Sequence, residues 1–279
     1  QPSVCYLHQA YVNLRWHVLE LGAGSREEEG LLQNFRLSSG GMVWSGNARP
    51  VPQLRAGIPR YTRIPGTKGW VWIRGEISYG LFCDNGYQRR THAPAERYAK
   101  NVWYHRKYLM VKIENEAPLF GSAGIDMAAQ FGGTVYNTSA GTVVFGHRVK
   151  DFLKVFVPSG GDRASPAIDQ VNVVGNHLGS YLMEIGYKRK SWRLRGYYEH
   201  YFDDHSGMIF RNFPDGLWGV EWTTSEKGLL TGVVGEYVCT TSQSGPFLWD
   251  ENEHIPVQVS GGDDYYGHAA YPGWTYWGR

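Results

Sequence analysis

Several stretches of this 279-residue chain alternate strictly between apolar and polar side chains, and this period of two constrains the fold more than any other feature. Successive side chains of a β-strand point to opposite faces of a sheet, so such stretches are typical of strands with one apolar and one polar face. The clearest pair covers residues 181–187 and 192–202, which are joined by the polar turn 188–191. This pattern predicts a hairpin of two long strands.

The two faces of the second strand differ in charge. Arg193, Arg195 and Glu199 share one face, whereas the opposite face, which runs from Trp192 to Phe202, carries no formal charge. Ten residue steps of about 3.3 Å, tilted by about 40°, rise roughly 25 Å along a barrel axis, which matches the apolar band of an outer-membrane barrel. Because arginine at the lipid midplane would cost about 2–4 kcal/mol, we expect Arg193 and Arg195 to point into a watery lumen.

The same alternation appears at residues 11–18 and 70–82. Residues 216–222 and 229–241 predict another hairpin, although the two faces of its second strand are not clearly distinguished, and further strands are predicted at 53–60, 101–113 and 125–136. Together these stretches predict about ten strands. Residues 149–157 predict a short amphipathic helix in a loop or in the lumen, and long segments such as 158–177 and 245–267 predict loops. Long loops that alternate with short turns are typical of outer-membrane barrels, whose two ends differ in this way. The sequence has no internal repeat and no linker, so we predict one barrel domain over residues 1–279.

Composition agrees with a turn-rich β-protein and excludes several other classes. Glycine contributes 36 residues, aromatic residues 15% and charged residues only 19%, which is below the usual quarter. No run of about 18 apolar residues is present, and this excludes a transmembrane helix. The mean hydropathy of −0.41 is compatible with barrel strands that are apolar at every second position. The net charge of +2 comes from scattered basic residues, so we expect no nucleic-acid partner.

Sequence motifs of the common enzyme classes are absent. The chain contains no G-x-S-x-G elbow, no phosphate-binding loop, no H-E-x-x-H pair and no dinucleotide fingerprint. We therefore predict that the protein is not an enzyme, with no catalytic residues and no cofactor. His200, Asp203, Asp204 and His205 carry the chemistry of metal ligands. Because strand-end loops rich in such residues are usually solvated, we expect no metal site.

Four stretches carry a resemblance to a known family. They are residues 38–50 (SSGGMVWSGNARP), 176–180 (NHLGS), 198–207 (YEHYFDDHSG) and 215–221 (DGLWGVE). They resemble the capsule assembly Wzi family of outer-membrane β-barrel proteins. The resemblance implies a location in the bacterial outer membrane and lectin-like, non-catalytic binding of capsular or other surface polysaccharide.

The family resemblance also bears on the size of the barrel. Barrels of the family are larger than a chain of 279 residues. The chain is therefore expected either to lack C-terminal strands, as a partial barrel, or to close with fewer strands. Because open sheet edges cannot face lipid, other outer-membrane proteins would then complete or cover a partial barrel.

The leading hypothesis is an all-β, antiparallel transmembrane barrel that binds surface polysaccharide at its lumen mouth and external loops. Aromatic faces stack on sugar rings, and bidentate side chains hold hydroxyls or acidic substituents. Outer-membrane lipid is the other expected partner. The candidate glycan-binding residues, taken from the motif at 38–50 and from strand parity, are Trp44, Asn47, Arg49, Arg193, Arg195 and Glu199.

Two alternative functions remain open at this point. A porin-like channel or transport component would use the same charged lumen for solute selectivity. A soluble, carbohydrate-active β-sandwich would also alternate apolar and polar residues, because its inner face is equally free of charge.

Overall fold

A computed structural model describes residues 7–46, 48–83, 86–91, 93–158, 174–203, 205–242, 247–249, 259–260, 265–268 and 271, and it is mainly antiparallel β-structure. The strands are β1 (Ala10–Trp16), β2 (Leu19–Ser25), β3 (Gln53–Arg63), β4 (Val71–Leu81), β5 (Tyr98–Lys100), β6 (Trp103–Ile113), β7 (Leu119–Phe131), β8 (Gly133–Thr138), β9 (Gly141–Phe145), β10 (Asn176–Lys188), β11 (Trp192–Phe202), β12 (Gly216–Thr224), β13 (Gly232–Cys239), β14 (Phe247–Trp249) and β15 (Val259–Ser260). The helices are α1 (Tyr87–Thr91), α2 (Val149–Phe156) and α3 (His205–Met208).

The largest sheet has ten strands in the order β1-β2-β3-β4-β6-β7-β10-β11-β12-β13, and all neighbouring strands are antiparallel. The structure therefore confirms the predicted antiparallel β-fold and the hairpin of β10 and β11. Within the described residues this sheet is open, because β1 and β13 lie at its two edges. Closure into a transmembrane barrel stays a prediction.

The structure differs from the strand predictions in several places. The short strands β5, β9, β14 and β15 lie in stretches that were not predicted as strands, and two further differences concern the ten-stranded sheet. Strand β2, in the glycine-containing stretch 19–25, was not predicted, and it pairs with β1 through a turn of two residues. The predicted strand 125–136 is two elements in two sheets. The chain turns between β7 and β8 at Gly132 and Gly133, whose φ angles of 63° and 79° lie in the left-handed region that favours glycine.

The strand register separates the side chains of the ten-stranded sheet into two faces, because directly opposite residues share a face. Two adjacent rows that cross eight strands show the difference. The row on one side, the apolar face, is Leu14, Leu21, Ala56, Ile77, Lys107, Met127, Gly179 and Phe202. The row on the other side, the charged face, is Arg15, Glu20, Gly57, Glu76, Tyr108, Asp126, Ser180 and Tyr201. Among all paired positions of the ten described strands, Lys107 is the one formally charged side chain on the apolar face.

The two ends of the sheet carry connections of very different length. At one end, the short-turn end, the connections are residues 17–18, 64–70, 114–118, 189–191 and 225–231. At the opposite end, the loop end, they are residues 26–52, 82–102, 132–175 and 203–215, and these contain all three described helices and the small sheet β5-β8-β9. The predicted difference between the two ends is therefore confirmed.

Two segments from the loop end cover part of the apolar face. The predicted helix at 149–157 is α2, and it lies in the connection between β9 and β10, in agreement with the loop alternative. The helix is held against the sheet, because Phe152 packs on Trp103 and Phe131 of the apolar face at 5.1 and 5.0 Å between ring centroids. The Phe210 ring stacks on His200 at 4.1 Å. The face from Trp192 to Phe202 is therefore open to the surroundings only in its half toward the short-turn end.

None of the described helices has the length and hydropathy that a membrane-spanning helix needs.

Glu114 ties two turns together at the short-turn end. Its carboxylate lies 2.8 Å from the Lys112 ammonium and 2.7 Å from that of Lys188. Burial raises the pKa of Glu114, but the hydrogen bonds from the two lysines, together with the charges of Lys112 and Arg193, lower it to about 2. The ion pair therefore links the turn after β6 to the hairpin of β10 and β11.

We expect Glu114→Gln to lower the free energy of unfolding by about 0.5–1 kcal/mol at pH 7, because partly exposed ion pairs are screened by water. A lowered pKa gives stability that is complete above the unfolded-state pKa and is lost as the pH falls through the folded-state value. The difference between wild type and variant should therefore be constant above about pH 5 and should disappear near pH 2. Denaturant unfolding at several pH values measures it, and a difference that persists at pH 2 would contradict this role.

Candidate binding surface

One connection from the loop end lies across the charged face. Residues 26–46, called the crossing segment, follow β2 and contact strands far apart in the sheet. The Leu31 carbonyl accepts a hydrogen bond from Arg74 of β4, and the Gln33 amide donates to Glu199 of β11. Strands β4 and β11 would lie about 19 Å apart in a flat sheet, yet Leu31 and Gln33 are two residues apart. This pattern indicates that the sheet curves around the crossing segment.

Apolar residues of the crossing segment form the core against the charged face. Leu32 belongs to a buried cluster with Met110 and Leu182. Trp44 belongs to a second cluster nearer the loop end, together with Tyr104. Burial of these side chains on the charged face of the sheet stabilises the segment in its place by roughly 1.5–3 kcal/mol for each fully buried residue.

Glu199 is the main polar anchor of the crossing segment. The residue is 2% exposed, and its carboxylate accepts four hydrogen bonds from neutral donors. The donors are Gln33 Nε2 at 2.7 Å, Ser180 Oγ at 2.9 Å, Met42 N at 2.9 Å and Val43 N at 3.3 Å. Gly41 is needed beside it, because a Cβ there would lie 2.7 Å from Glu199 Oε2.

A second anchor holds the crossing segment nearer the loop end. Arg106 donates two hydrogen bonds to Asp126, at 2.9 and 2.8 Å, and a third to Glu28 of the crossing segment. Arg106 and Asp126 are 3% and 4% exposed. The guanidinium also lies 5.3 Å from the centre of the Trp44 ring. Arg106 therefore connects the sheet to the crossing segment at two places, at Glu28 near its start and at Trp44 near its end.

The half of the charged face toward the short-turn end presents cations against aromatic rings. Guanidinium carbons lie 3.6 Å from the Phe120 ring for Arg193 and 4.7 Å from the Tyr61 ring for Arg74. Lys112 lies 4.6 Å from the same Tyr61 ring. We call this surface the basic wall. Its members are Tyr61, Arg63, Trp72, Arg74, Lys112, Phe120, Lys188, Arg193 and Arg195.

Carboxylates balance only part of the charge of the basic wall. Six cationic side chains of the wall face four carboxylates. These carboxylates are Glu114, Glu184, Glu221 and Glu236. Arg195 pairs with Glu184 and Glu221, whereas the Nε atoms of Arg74 and Arg193 are buried and have no hydrogen-bond partner among the described residues. The wall can therefore donate further hydrogen bonds to an anionic ligand.

The predicted glycan-binding residues that the structure describes do not form one cluster. Trp44 is 9% exposed. It directly follows Met42 and Val43, whose backbone amides donate hydrogen bonds to Glu199. Arg193 and Arg195 lie on the basic wall, where both face Glu184. Arg49 is half-buried between the crossing segment and β3. Asn47 lies outside the described residues. Their role in binding glycan stays a prediction.

The alternation of side chains along the strands is enough to predict part of the basic wall. Trp72 and Arg74 stand on the polar side of the alternating stretch 70–82, as Arg193 and Arg195 do in theirs. Tyr61 could not have been placed, because the register of β3 shifts between Ile58 and Thr62 and simple alternation fails there.

His200, considered above as a metal ligand, has both ring nitrogens in use. Its Nδ1 lies 2.8 Å from the Tyr198 hydroxyl and its Nε2 lies 2.9 Å from the Gly207 carbonyl oxygen. Within the part of the chain that the structure describes, no three His, Cys, Asp or Glu residues are grouped to hold a metal ion.

The fold and this surface define the class of the chain as an antiparallel β-protein with one apolar face and one charged, partly covered face. Comparison with models of protein families, with curated proteins and with solved structures found no match.

Proposed function

We propose that the chain forms ten strands of a Wzi-like outer-membrane β-barrel that contacts lipid through its apolar face and binds surface polysaccharide on its charged face, without catalysis. The separation of charge between the two faces is the observation that carries the proposal. Lipid requires an uncharged outer surface at membrane depth, and a lumen accepts charged side chains.

Exposed apolar residues support the contact with lipid. Leu54, Leu109, Ile185 and Val220 of the apolar face are all exposed, although soluble proteins rarely present large apolar patches to water. A soluble β-sandwich would cover this face with a second sheet. Among the described residues the apolar face is instead covered only near the loop end, by α2 and by residues around Phe210.

Aromatic residues lie at both ends of the apolar face, as expected for the two interfaces of a membrane. Trp16, Trp192 and Trp222 lie at the short-turn end, and Trp103 and Trp218 lie toward the loop end. The rows between them consist mainly of smaller aliphatic residues and glycine.

We expect Leu109→Arg to lower the free energy of unfolding in phospholipid vesicles by about 2–4 kcal/mol, because Leu109 lies midway along β6 on the apolar face. Leu119→Arg is the matched control. Leu119 is also exposed but lies at the short-turn end, so its cost should be about 0–1 kcal/mol. Guanidinium titration monitored by tryptophan fluorescence measures both values. If both variants change stability by less than about 0.5 kcal/mol, as exposed positions of a soluble protein do, the apolar face does not contact lipid.

The basic wall supports the binding of an acidic rather than a neutral polysaccharide. Arginine holds carboxylates and phosphates through paired hydrogen bonds, and the aromatic rings beside the cations offer stacking surfaces for sugars. Arg193, whose side chain is 36% exposed, and the exposed Arg63 are the accessible cations of this surface.

We expect Arg63→Gln combined with Arg193→Gln to weaken the binding of a uronate-containing polysaccharide by about tenfold or more, since each charged hydrogen bond contributes about 1.5–3 kcal/mol. Titration of the detergent-solubilised protein measures the affinity, with neutral dextran as the control ligand and Lys227→Gln, in the exposed turn 225–231, as the control variant. Arg49→Gln is expected to have little effect. Equal binding of the acidic and the neutral polymer would exclude this function for the wall, and loss of binding in Arg49→Gln alone would assign it to the loop end.

A further inference from the structure

Helix α2 exposes an apolar stripe that faces away from the sheet. Val149, Leu153 and Val157 follow one another at intervals of four residues and are 79%, 64% and 64% exposed. Residues four apart lie on the same side of a helix, so Val149 and Leu153 form one strip, and the exposed Val157 follows directly after the last helical residue. Phe156, 37% exposed, extends the strip on the side next to the sheet. A helix of a soluble protein turns such a stripe toward its core.

The opposite side of α2 is firmly attached, so the direction of the stripe is fixed. Val155 is fully buried against the apolar face. The Tyr79 hydroxyl donates to the Phe152 carbonyl oxygen at 3.0 Å, and the Lys107 ammonium donates to the carbonyl oxygens of Val155 and Phe156 at the end of the helix. Lys107, the one charged side chain on the apolar face of the ten described strands, thus holds this helix.

The charges of α2 are distributed to suit an anionic lipid surface. Asp151, the one acidic residue of the helix, is 2% exposed and accepts a hydrogen bond from the backbone of Arg148 at its own N-terminus. Lys150 and Lys154 lie on the flank next to the apolar stripe. A helix with an apolar face and flanking lysines is typical of segments that lie in the plane of the membrane interface.

We propose that α2 is an interfacial anchor, with Val149, Leu153 and Val157 among the outer acyl segments and the lysines at anionic lipid head groups. This inference rests on the proposed contact of the apolar face with lipid, and it adds a site and a lipid class. The stripe is close to the apolar face, because α2 packs on Trp103 and Phe131 at its loop end. The anchor would fix the depth of the loop end in the membrane.

Spin labels at single cysteines test the anchor in the whole chain. In a background with Cys5, Cys83 and Cys239 replaced by serine, labels are placed by Leu153→Cys, Leu109→Cys and Lys227→Cys. The protein is reconstituted in vesicles of phosphatidylcholine with phosphatidylglycerol, and collision with oxygen is compared with collision with a water-soluble nickel chelate. We expect the label at 153 to favour oxygen, at a depth between the label at 109 and the aqueous label at 227.

The outcomes separate the anchor from the membrane proposal. A label at 153 that collides with the nickel chelate, or that is shielded from both reagents by protein, overturns the anchor, while a lipid-exposed label at 109 leaves the membrane proposal standing. If the label at 109 is also aqueous, both proposals fail.

The lipid class is tested by omitting phosphatidylglycerol. We expect the immersed fraction of the 153 label to fall severalfold, because each lysine near an anionic surface favours binding by about fivefold. Lys154→Gln should reduce this dependence. An immersed fraction that is the same in both lipid mixtures would overturn the assignment of anionic lipid.

Discussion

Replacing Glu199 with alanine is expected to release the crossing segment and to lower the free energy of unfolding by about 3 kcal/mol or more. Each buried donor left without an acceptor costs about 1–3 kcal/mol, and this change removes the acceptor of Gln33, Ser180 and two backbone amides at once. Denaturant unfolding in detergent measures the loss. Trypsin gives a second readout, because the exposed Arg36 lies in the middle of the segment and should be cut much faster once the segment is free.

Two control variants separate the loss of the Glu199 hydrogen bonds from the general effect of shortening a buried side chain. Glu199→Gln keeps the shape and one carbonyl acceptor, so it should lose only part of the stability. Ser180→Ala removes a single donor to the same carboxylate and should cost about 1 kcal/mol. An alanine variant with an unchanged unfolding midpoint and unchanged cleavage at Arg36 would show that Glu199 does not hold the segment.

The same variant distinguishes binding from transport. The crossing segment covers Glu199 and Arg106 on the charged face, so a barrel built from this sheet would be partly filled between its two ends. We therefore expect little conductance from the wild-type protein in planar bilayers and larger currents from Glu199→Ala. Large open currents in the wild type would favour the porin-like alternative.

The alternation of apolar and polar residues predicted those strands in which one face is clearly apolar and the other clearly polar. Strand β11 begins and ends at the predicted residues because Arg193 and Arg195 alternate with apolar neighbours along the whole stretch. Strand β2 lacks such a signal, since its sequence LELGAGS contains one charge and two glycines. It is a strand because its backbone pairs with both β1 and β3, and pairing partners are not visible in a local pattern.

The crossing segment and its anchors could not be predicted from local sequence. Residues 26–46 have neither a period of two nor a helical period, and their place depends on contacts with strands more than 150 residues away. Glu199 illustrates the limit. The alternation of side chains correctly assigned it to the charged face, but alternation does not identify the partners of a side chain. Its actual partners include the amides of Met42 and Val43, which any residue type could supply.

Arg106 shows how much of the stability of the charged face depends on paired charge. We expect Arg106→Met to lower the free energy of unfolding by about 3–5 kcal/mol, because removing one partner leaves uncompensated charge in a buried site. Asp126 and Glu28 would then lie close together with side chains that are 5% and 9% exposed. Denaturant unfolding measures the loss. Arg106→Lys should recover little, since an ammonium cannot reproduce the paired hydrogen bonds of the guanidinium to Asp126.

The triple variant Arg106→Met, Asp126→Asn, Glu28→Gln separates charge from packing. The triple variant leaves no uncompensated charge in the buried site, and such a charge is the main cost of removing one partner, so the triple variant should regain part of the lost stability. If it remains as unstable as Arg106→Met, the contribution of Arg106 comes from its packing against Trp44 and Tyr108 and not from its charge. Recovery of stability together with slow cleavage at Arg36 would show that the crossing segment needs a balanced charge beneath it, because Glu28 is the residue through which the segment adds a charge to this site.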